Sequence, residues 1–306
     1  MRHRLFRNSL TFFRLLAYSM ALTAAANAQS AGTIHGTVKD HTGLPIPGAE
    51  VTAILEERST NRALATDTEG NYVLAALPVG TYTIRVRAQG FKLFERRGVG
   101  LTANQNARID LSLEVGEVSD SVSVTADASL VDSRSSTVGA LIDSRRVTEL
   151  PIDGRNIIAL AVILPGVSDV AAPQTFTGDR SGPTVSVSGS RGNANQFLFD
   201  GAPFNALFRN TGQNYPPPDA LREVQTLTNS YSAEYGRNSG AIFNVVTKSG
   251  ANQVRGSAWE FHRNHKLNAR NFFASTKPQL IQNQFGFTLG GPIRKDKLFA
   301  FGSYEG

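Results

Sequence analysis

Residues 191–201 read Arg-Gly-Asn-Ala-Asn-Gln-Phe-Leu-Phe-Asp-Gly, and residues 240–250 read Gly-Ala-Ile-Phe-Asn-Val-Val-Thr-Lys-Ser-Gly. Two shorter motifs lie between them, Pro-Pro-Asp-Ala-Leu-Arg-Glu-Val at 217–224 and Ser-Ala-Glu-Tyr-Gly-Arg at 232–237. Residues 171–218 are rich in Gly, Asn, Pro, Ser and Thr, which is typical of an irregular domain with many turns. These four motifs, in this order, are the most specific signal in the sequence.

Short elements with clear ends precede these motifs. A helix is predicted at 145–150, capped by Asp143 or Ser144 and ended by a proline. A second, largely apolar helix is predicted at 156–164 and ends before a Pro-Gly pair. Residues 185–189 alternate between apolar and polar side chains and predict a strand.

Together these motifs resemble the plug domain of TonB-dependent outer-membrane receptors, especially the Oar-like group. The resemblance covers roughly residues 130–250 and implies a small mixed α/β domain that sits inside a barrel and closes it. Loops in such a domain often touch ligand, but for any single residue we favour a role in satisfying backbone groups. Arg191, Asn195 and Asp200 could equally pair with charges on the barrel wall. The predicted plug-motif residues are Arg191, Gly192, Asn195, Asp200 and Gly201.

Aromatic side chains alternate with polar ones from Arg255 onwards. Trp259 and Phe261 point to one side of a predicted strand, and residues 285–289 and 298–304 show the same alternation. Apolar-out, polar-in alternation with many aromatic residues is the signature of outer-membrane β-barrels, although an ordinary antiparallel sheet would look similar. The order of the motifs favours the barrel, because three of them resemble the first barrel strands of the same receptors: residues 256–261, 267–273 and 290–297.

The barrel is expected to be incomplete. Receptors of this family carry barrels of about 22 strands, which at about ten residues a strand need several hundred residues. Only residues 251–306 follow the last plug motif, and the sequence does not end on an aromatic-terminated strand. We therefore expect a truncated sequence whose open sheet edges could not sit in lipid.

Residues 30–114 predict a β-sandwich, because short alternating runs are separated by turns that contain Gly or Pro. Five motifs resemble the carboxypeptidase regulatory-like domain, a transthyretin-like sandwich related in fold to some carbohydrate-binding modules; the name does not imply peptidase activity. The alternating runs are 33–38, 50–55, 72–74, 81–86 and 106–113, and the motifs are 36–40, 43–49, 66–72, 77–82 and 90–91.

The sandwich is expected to bind sugar weakly or not at all. Sugar sites of this type present exposed aromatic side chains, whereas strand alternation places most of Tyr72, Tyr82, Phe91 and Phe94 in the core. Asp67 does not begin the twelve-residue ligand pattern of a calcium-binding EF-hand. A turn in which Asp67 accepts hydrogen bonds from its own backbone is favoured over a calcium site.

Residues 114–130 are polar, small and β-prone. They resemble the TonB-box-like segment, an extended strand that pairs with the periplasmic protein TonB by β-augmentation. Since main-chain hydrogen bonds supply the affinity in that mode, an ordinary interdomain strand remains an equal alternative. The predicted TonB contacts are Asp120, Ser121, Val122, Ser123, Val124, Thr125 and Ala126.

The first 28 residues are typical of a secretory signal peptide. Three arginines lie among the first seven residues, an apolar run covers residues 15–26, and an Ala-x-Ala site predicts cleavage between Ala28 and Gln29. Arg14 interrupts the apolar stretch, which then falls short of the roughly 20 residues that a spanning helix needs. No later stretch is apolar enough for such a helix, so any membrane role must come from β-strands.

Composition excludes several classes of site. The 306 residues include no cysteine, which excludes disulfides, a cysteine nucleophile and iron–sulfur clusters. The net charge is +6, but the predicted signal peptide holds four arginines and leaves about +2, which is weak evidence for a nucleic-acid partner. No catalytic or nucleotide-binding motif occurs, and His262 with His265 lacks a third ligand. We therefore expect no enzyme activity and no cofactor, and we expect the Glu56-Glu57 pair to be a solvated surface.

The sequence thus predicts a mainly β protein with a small α/β part, divided into a signal peptide (1–28), a sandwich (29–114), a linker (115–130), a plug (131–250) and the start of a barrel (251–306). The family resemblance implies a TonB-dependent outer-membrane transporter for a bulky solute, by import or export. The implied partners are the TonB complex of the inner membrane, outer-membrane lipid, and a siderophore, cobalamin, an oligosaccharide or a peptide. The alternative is a periplasmic or cell-surface binding module whose sandwich binds glycan or a partner protein.

Overall fold

The computed structural model describes residues 31–116, 121–125, 137–149, 155–169, 184–207, 210–236, 238–270 and 272–306. Within these residues the chain is mainly β, with a few short helices. It forms a β-sandwich, a small α/β unit and an antiparallel sheet, which confirms the predicted fold class. The predicted signal peptide and its cleavage site at Ala28 and Gln29 lie outside the described residues.

The first unit, called the sandwich, contains nine strands among the described residues: β1 (Ala31–Asp40), β2 (Glu50–Leu55), β3 (Thr60–Ala65), β4 (Asn71–Pro78), β5 (Gly80–Arg87), β6 (Leu93–Leu101), β7 (Asn106–Arg108), β8 (Leu111–Leu113) and β9 (Ser121–Thr125). One sheet has the order β4-β1-β7, with β8 also pairing with β1. The other has the order β3-β2-β5-β6-β9. All five predicted runs fall on strands, and the last run is divided between β7 and β8.

The sandwich core lies between the two sheets. Alternation along β1, β2 and β5 turns every second side chain inward, so that Ile34, Val51 and Ile84 are fully buried. Phe91 and Phe94 are partly buried and pack against this core. Burial of apolar surface on this scale is the main stabilising contribution to such a domain.

Two tyrosines of the core satisfy their hydroxyl groups internally. Tyr72 and Tyr82 are each 2% exposed, as predicted. The Tyr72 hydroxyl donates to the carbonyl of Ile109 at 2.7 Å, and the Tyr82 hydroxyl donates to the carbonyl of Pro78 at 2.6 Å. The backbone at Ile109 runs alongside β1 at Gly36, where a Cβ atom would lie 1.9 Å from the Ile109 oxygen. Glycine is therefore required there for close packing of the two segments.

The second unit, called the plug unit, is a small mixed α/β domain. Its main sheet has the order β10-β15-β16-β13-β14, and β11 pairs with β12. The stacked rings of Phe197 and Phe243, 5.1 Å apart, lie in its core. The elements are β10 (Val138–Asp143), α1 (Ser144–Glu149), a 3-10 helix (Ile157–Ile163), β11 (Val167–Asp169), β12 (Val185–Val187), β13 (Gln196–Phe199), β14 (Ala202–Pro203), a 3-10 helix (Pro218–Ala220), β15 (Leu221–Asn229), a 3-10 helix (Ala233–Tyr235) and β16 (Ile242–Thr247).

Both predicted helices of the plug unit form, in different geometries. Asp143 caps α1, since its Oδ1 accepts a hydrogen bond from the Arg146 amide at 2.9 Å. The second is a 3-10 helix, and Asn156 caps it by accepting from the Ile158 amide at 3.1 Å. The predicted strand at 185–189 ends at residue 187, because the next two residues take left-handed conformations.

The third unit, called the wall sheet, is the antiparallel sheet β17 (Arg255–Asn264), β18 (Ile281–Arg294) and β19 (Leu298–Glu305). Phe285, Phe287 and Leu289 on β18 are more than half exposed, whereas Thr288 between them is 6% exposed. The predicted apolar-out, polar-in alternation therefore holds for β18. No helix among the described residues is long and apolar enough to cross a membrane.

Candidate functional site at the plug and the barrel wall

A single arginine fastens the plug unit to the wall sheet. The Arg155 Nε donates to Glu305 Oε2 at 3.0 Å, and its Nη2 donates to Asp219. Asp219 lies in the 3-10 helix of the plug unit that precedes β15, whereas Glu305 ends β19. The Arg155 side chain is 14% exposed, and the two carboxylate side chains are 20% and 22% exposed. One guanidinium thus joins a carboxylate of its own unit to a carboxylate of the wall.

Two aromatic rings of β17 contact the same guanidinium. The Arg155 Cζ lies 5.1 Å from the Trp259 ring centroid and 4.7 Å from that of Phe261. The expectation that these apolar side chains face outward with the rest is therefore wrong for β17. They turn toward the plug unit because an aromatic face attracts a cation. Gly286, opposite Trp259, leaves space for the ring, since a Cβ there would lie 2.5 Å from it.

The wall carboxylate is held by further donors from its own sheet. Trp259 Nε1 donates to Glu305 Oε2 at 3.3 Å, and Gln284 Nε2 donates to Glu305 Oε1 at 2.9 Å. A partly buried charge of this kind is stable only while its partners remain in place. The position of Glu305 therefore depends on Arg155, Trp259 and Gln284 together. Among the residues that the structure describes, no group of three or more His, Cys, Asp or Glu could hold a metal ion.

The predicted plug-motif residue Asn195 ties together three segments of the plug unit. It is fully buried, and its Nδ2 donates to the carbonyls of Val185 at 2.6 Å and Gly192 at 3.4 Å. Its Oδ1 accepts from the Ala241 amide at 2.9 Å. Gly240 approaches so closely that a Cβ there would lie 2.5 Å from that Oδ1. These bonds satisfy backbone groups of an irregular region, as favoured for single residues of the motif.

Asp200 and Gly201 form the turn after β13. Asp200 accepts from the Thr247 amide at 2.8 Å and from its hydroxyl at 2.9 Å, which attaches the turn to the end of β16. Both turn residues have positive φ, 50° for Asp200 and 85° for Gly201. Arg191 is exposed. The bonds of Asn195 and Asp200 lie within the plug unit, so it is Arg155 that pairs with a charge on the wall.

Models of known protein families match the three units in the same order. A carboxypeptidase regulatory-like domain matches residues 33–114, a TonB-dependent receptor plug domain matches residues 139–241, and an outer-membrane β-barrel domain matches residues 246–306. The TonB-dependent transporter Oar of Myxococcus xanthus is 28% identical over 95% of this chain. In the order of its three matched domains the chain is similar to TonB-dependent receptors. The barrel match and the Oar relative indicate the outer membrane.

The chain spans 28% of the length of Oar. Among solved structures, the siderophore receptor PirA of Acinetobacter baumannii is 25% identical, with a TM-score of 0.42, and the match covers 55% of this chain and 24% of PirA. The ferric enterobactin receptor PfeA of Pseudomonas aeruginosa is 17% identical, with a TM-score of 0.38, and the match covers 53% of this chain and 24% of PfeA.

The predicted TonB-contact segment lies on the sandwich of the receptor. Ser121–Thr125 forms β9, which runs parallel to β6, with Leu93 opposite Ser121 and Arg97 opposite Thr125. In the part of the chain that the structure describes, β9 is the last strand of its sheet, so its second edge pairs with no other strand. Asp120 and Ala126, at the two ends of the predicted contact, lie outside the described residues.

The sequence does not reveal the charged contacts between the units. Arg155 lies beside the cap of a predicted helix without any sign of its partners, and its left-handed backbone (φ 55°) is visible only in the structure. The expectation that Glu56 and Glu57 form a solvated surface holds for Glu56, which is exposed and accepts from the Thr83 hydroxyl at 2.8 Å. It is wrong for Glu57, which forms a two-point ion pair with Arg222 of the plug unit.

Proposed function

We propose that this receptor moves a bulky solute across the outer membrane, with energy supplied by TonB through the plug unit. The observation that carries the proposal is the Arg155 contact, which attaches a separately packed plug unit to the wall by charges and rings. Such an attachment can be released without unfolding either unit, as a gated closure requires. The candidate solutes are an iron chelate, cobalamin, an oligosaccharide or a peptide.

The connections of the wall sheet support an orientation. Residues 295–297 join β18 to β19 by a tight turn, whereas residues 265–280 join β17 to β18 by a long connection. Outer-membrane barrels place short turns in the periplasm and long loops outside the cell. The sandwich lies at the end with the short turn, since Asn252 contacts both Ser59 of the sandwich and Asp296 of that turn. We therefore place the sandwich in the periplasm, where TonB acts.

The segment at 120–126 is proposed as the TonB contact. Its described part is already extended, and β-augmentation needs a strand with a free edge. We also propose the domain boundaries given by the sequence, with the signal peptide ending at residue 28, the sandwich at 114, the linker at 130 and the plug at 250. On these boundaries β9 is a strand that the linker adds to a sheet of the sandwich.

A binding measurement tests this proposal without knowledge of the solute. The full-length receptor that contains these residues is purified from outer membranes, and its affinity for the periplasmic domain of TonB is measured by biolayer interferometry. Ser123→Pro removes a backbone donor from the segment, and we expect it to abolish binding. Ser123→Ala, the matched control, keeps the backbone and should bind normally. Equal binding by both variants would place the TonB contact elsewhere.

Uptake provides the second half of the test. Growth on each candidate solute as the limiting nutrient is compared in strains with and without the receptor, and with and without TonB. We expect one solute to require both proteins. Growth that requires the receptor but not TonB would instead favour the binding-module alternative.

A further inference from the structure

The turn between β2 and β3 projects from the sandwich to the seam between the plug unit and the wall sheet. The Glu57 carboxylate accepts from both terminal nitrogens of Arg222, which lies on β15 of the plug unit, at 3.0 Å and 2.9 Å. The Glu57 carbonyl accepts from the Asn252 amide at 2.9 Å, on the segment that leads into β17. One residue of the sandwich thus touches the plug unit and the approach to the wall.

The next residue of the turn continues this bridge. Arg58 Nε donates to the carbonyl of Gly250 at 3.1 Å, and its Cζ lies 5.2 Å from the ring centroid of Phe299 on β19. Burial at this place lowers the pKa of Arg58, although the guanidinium of an arginine stays charged in proteins. Asn252 completes the junction, because its side chain exchanges hydrogen bonds with Asp296 at 2.7 Å and 2.9 Å.

The geometry favours a strong contact over an incidental one. Two parallel hydrogen bonds between a guanidinium and a carboxylate are stronger and more specific than a single surface ion pair. The Arg222 and Glu57 side chains are only 22% and 32% exposed, so water screens their attraction less than at the surface. A second contact between the sandwich and the plug unit lies beside this ion pair, where the Ala103 amide of the sandwich donates to Glu223 at 2.7 Å.

We propose that the Glu57-Arg58 turn is a clamp by which the sandwich holds the plug unit to the barrel wall, so that the sandwich must undock before the plug moves. Phe299 and Glu305 are six residues apart on β19, which corresponds to about 20 Å along a strand. The clamp and the Arg155 contact therefore hold the plug unit at two levels of one wall. The clamp lies at the end of the wall sheet that carries the short turn between β18 and β19. That this end faces the periplasm rests on the proposed function, whereas the clamp itself does not.

Spin labels test the clamp in the full-length receptor purified from outer membranes. Residues 1–306 contain no cysteine, so once any cysteine beyond residue 306 is replaced by serine, labels at Arg62→Cys on the exposed β3 and Lys295→Cys on the short turn report one distance. We expect a single narrow distance in the parent protein. Glu57→Gln removes the charge with little change of shape, and we expect the undocked population to rise about tenfold, as loss of one charge-assisted contact predicts.

The neighbouring glutamate gives a matched control. Glu56 is bonded within the sandwich, to Thr83 and to the Gly98 amide at 3.3 Å, so Glu56→Gln should leave the distance unchanged. Exchanging the charges, with Glu57→Arg and Arg222→Glu together, should restore the narrow distance and thereby exclude simple misfolding of the single variant. The clamp is refuted if the undocked population of Glu57→Gln is no larger than that of Glu56→Gln. It is also refuted if the variant with exchanged charges does not recover the narrow distance. Neither outcome depends on TonB or on a solute.

Discussion

Replacing Arg155 with alanine tests how the plug unit is attached to the wall. The change removes two ion pairs and two cation–π contacts, and it leaves Asp219 and Glu305 without their cation. Breaking a fully buried ion pair by removing one partner costs about 3–5 kcal/mol. Because both carboxylates here keep about a fifth of their exposure, we expect the lower limit, about 3 kcal/mol. That corresponds to roughly a hundredfold larger population of detached plug.

Trp259 provides the assay, because it lies against Arg155 and is the only tryptophan among residues 1–306. Any tryptophan beyond residue 306 of the full-length receptor is replaced by phenylalanine beforehand. Its fluorescence is followed while urea is added to the purified receptor. In the Arg155→Ala variant, detachment should occur at a clearly lower urea concentration. The urea concentration at which Arg155→Lys detaches should lie between those of the parent protein and Arg155→Ala, since lysine keeps the charge but cannot make the planar contacts.

Arg145 supplies the control for this experiment. It pairs with Glu149 one helical turn away, and their side chains are 80% and 61% exposed, so the pair contributes at most about 0.5 kcal/mol. Arg145→Ala should therefore leave the Trp259 transition in place. If Arg155→Ala and Arg145→Ala shift it equally, the Arg155 cluster does not hold the plug unit, and the reasoning fails.

Three further outcomes are expected. Gly36→Ala should lower the stability of the sandwich by about 2–3 kcal/mol, the upper part of the range for overpacking. Gly100→Ala, with open space around it, should be neutral in thermal unfolding. Burial raises the pKa of Glu223, so the folded protein holds the Glu223 proton more tightly than the unfolded chain does. The contribution of Glu223 to stability therefore falls as pH rises from the ordinary carboxyl range through the raised pKa. Glu223→Gln should lack this dependence, so that its melting temperature lies above that of the parent protein at neutral pH and approaches it in acid. The sandwich should bind oligosaccharides no more tightly than millimolar in calorimetric titration, and micromolar affinity would contradict this.

In the sandwich, the sequence predicted the strands that alternate between buried and exposed positions and missed two that do not. β2 and β5 alternate clearly between buried and exposed positions, and alternation is the signal by which a strand is recognised. β3 is exposed almost throughout, and β6 contains three charged residues and two glycines. Such strands form because their neighbours offer hydrogen bonds, which a single sequence does not reveal.

The contacts of the candidate site depend on partners that are far away in sequence. Alternation on β17 shows that Trp259 and Phe261 share a face, but it does not say which face turns inward. The answer comes from Arg155, a residue of another unit. Likewise, Glu57 resembles a solvated charge until the fold places Arg222, 165 residues later, against it. Local patterns predict elements, whereas the charged contacts between units require the assembled fold.

The chemistry inside each unit differs from the chemistry between units, and the difference bears on how the closure works. The sandwich and the plug unit each enclose an apolar core, whose loss would expose much apolar surface to water. The described contacts that join the sandwich, the plug unit and the wall are instead ion pairs, hydrogen bonds and cation–π pairs. Water can replace the partners of such groups when they separate, so separation costs much less than unfolding. A force that detaches the plug unit would therefore break the polar contacts between the units first and leave the apolar core of each unit intact.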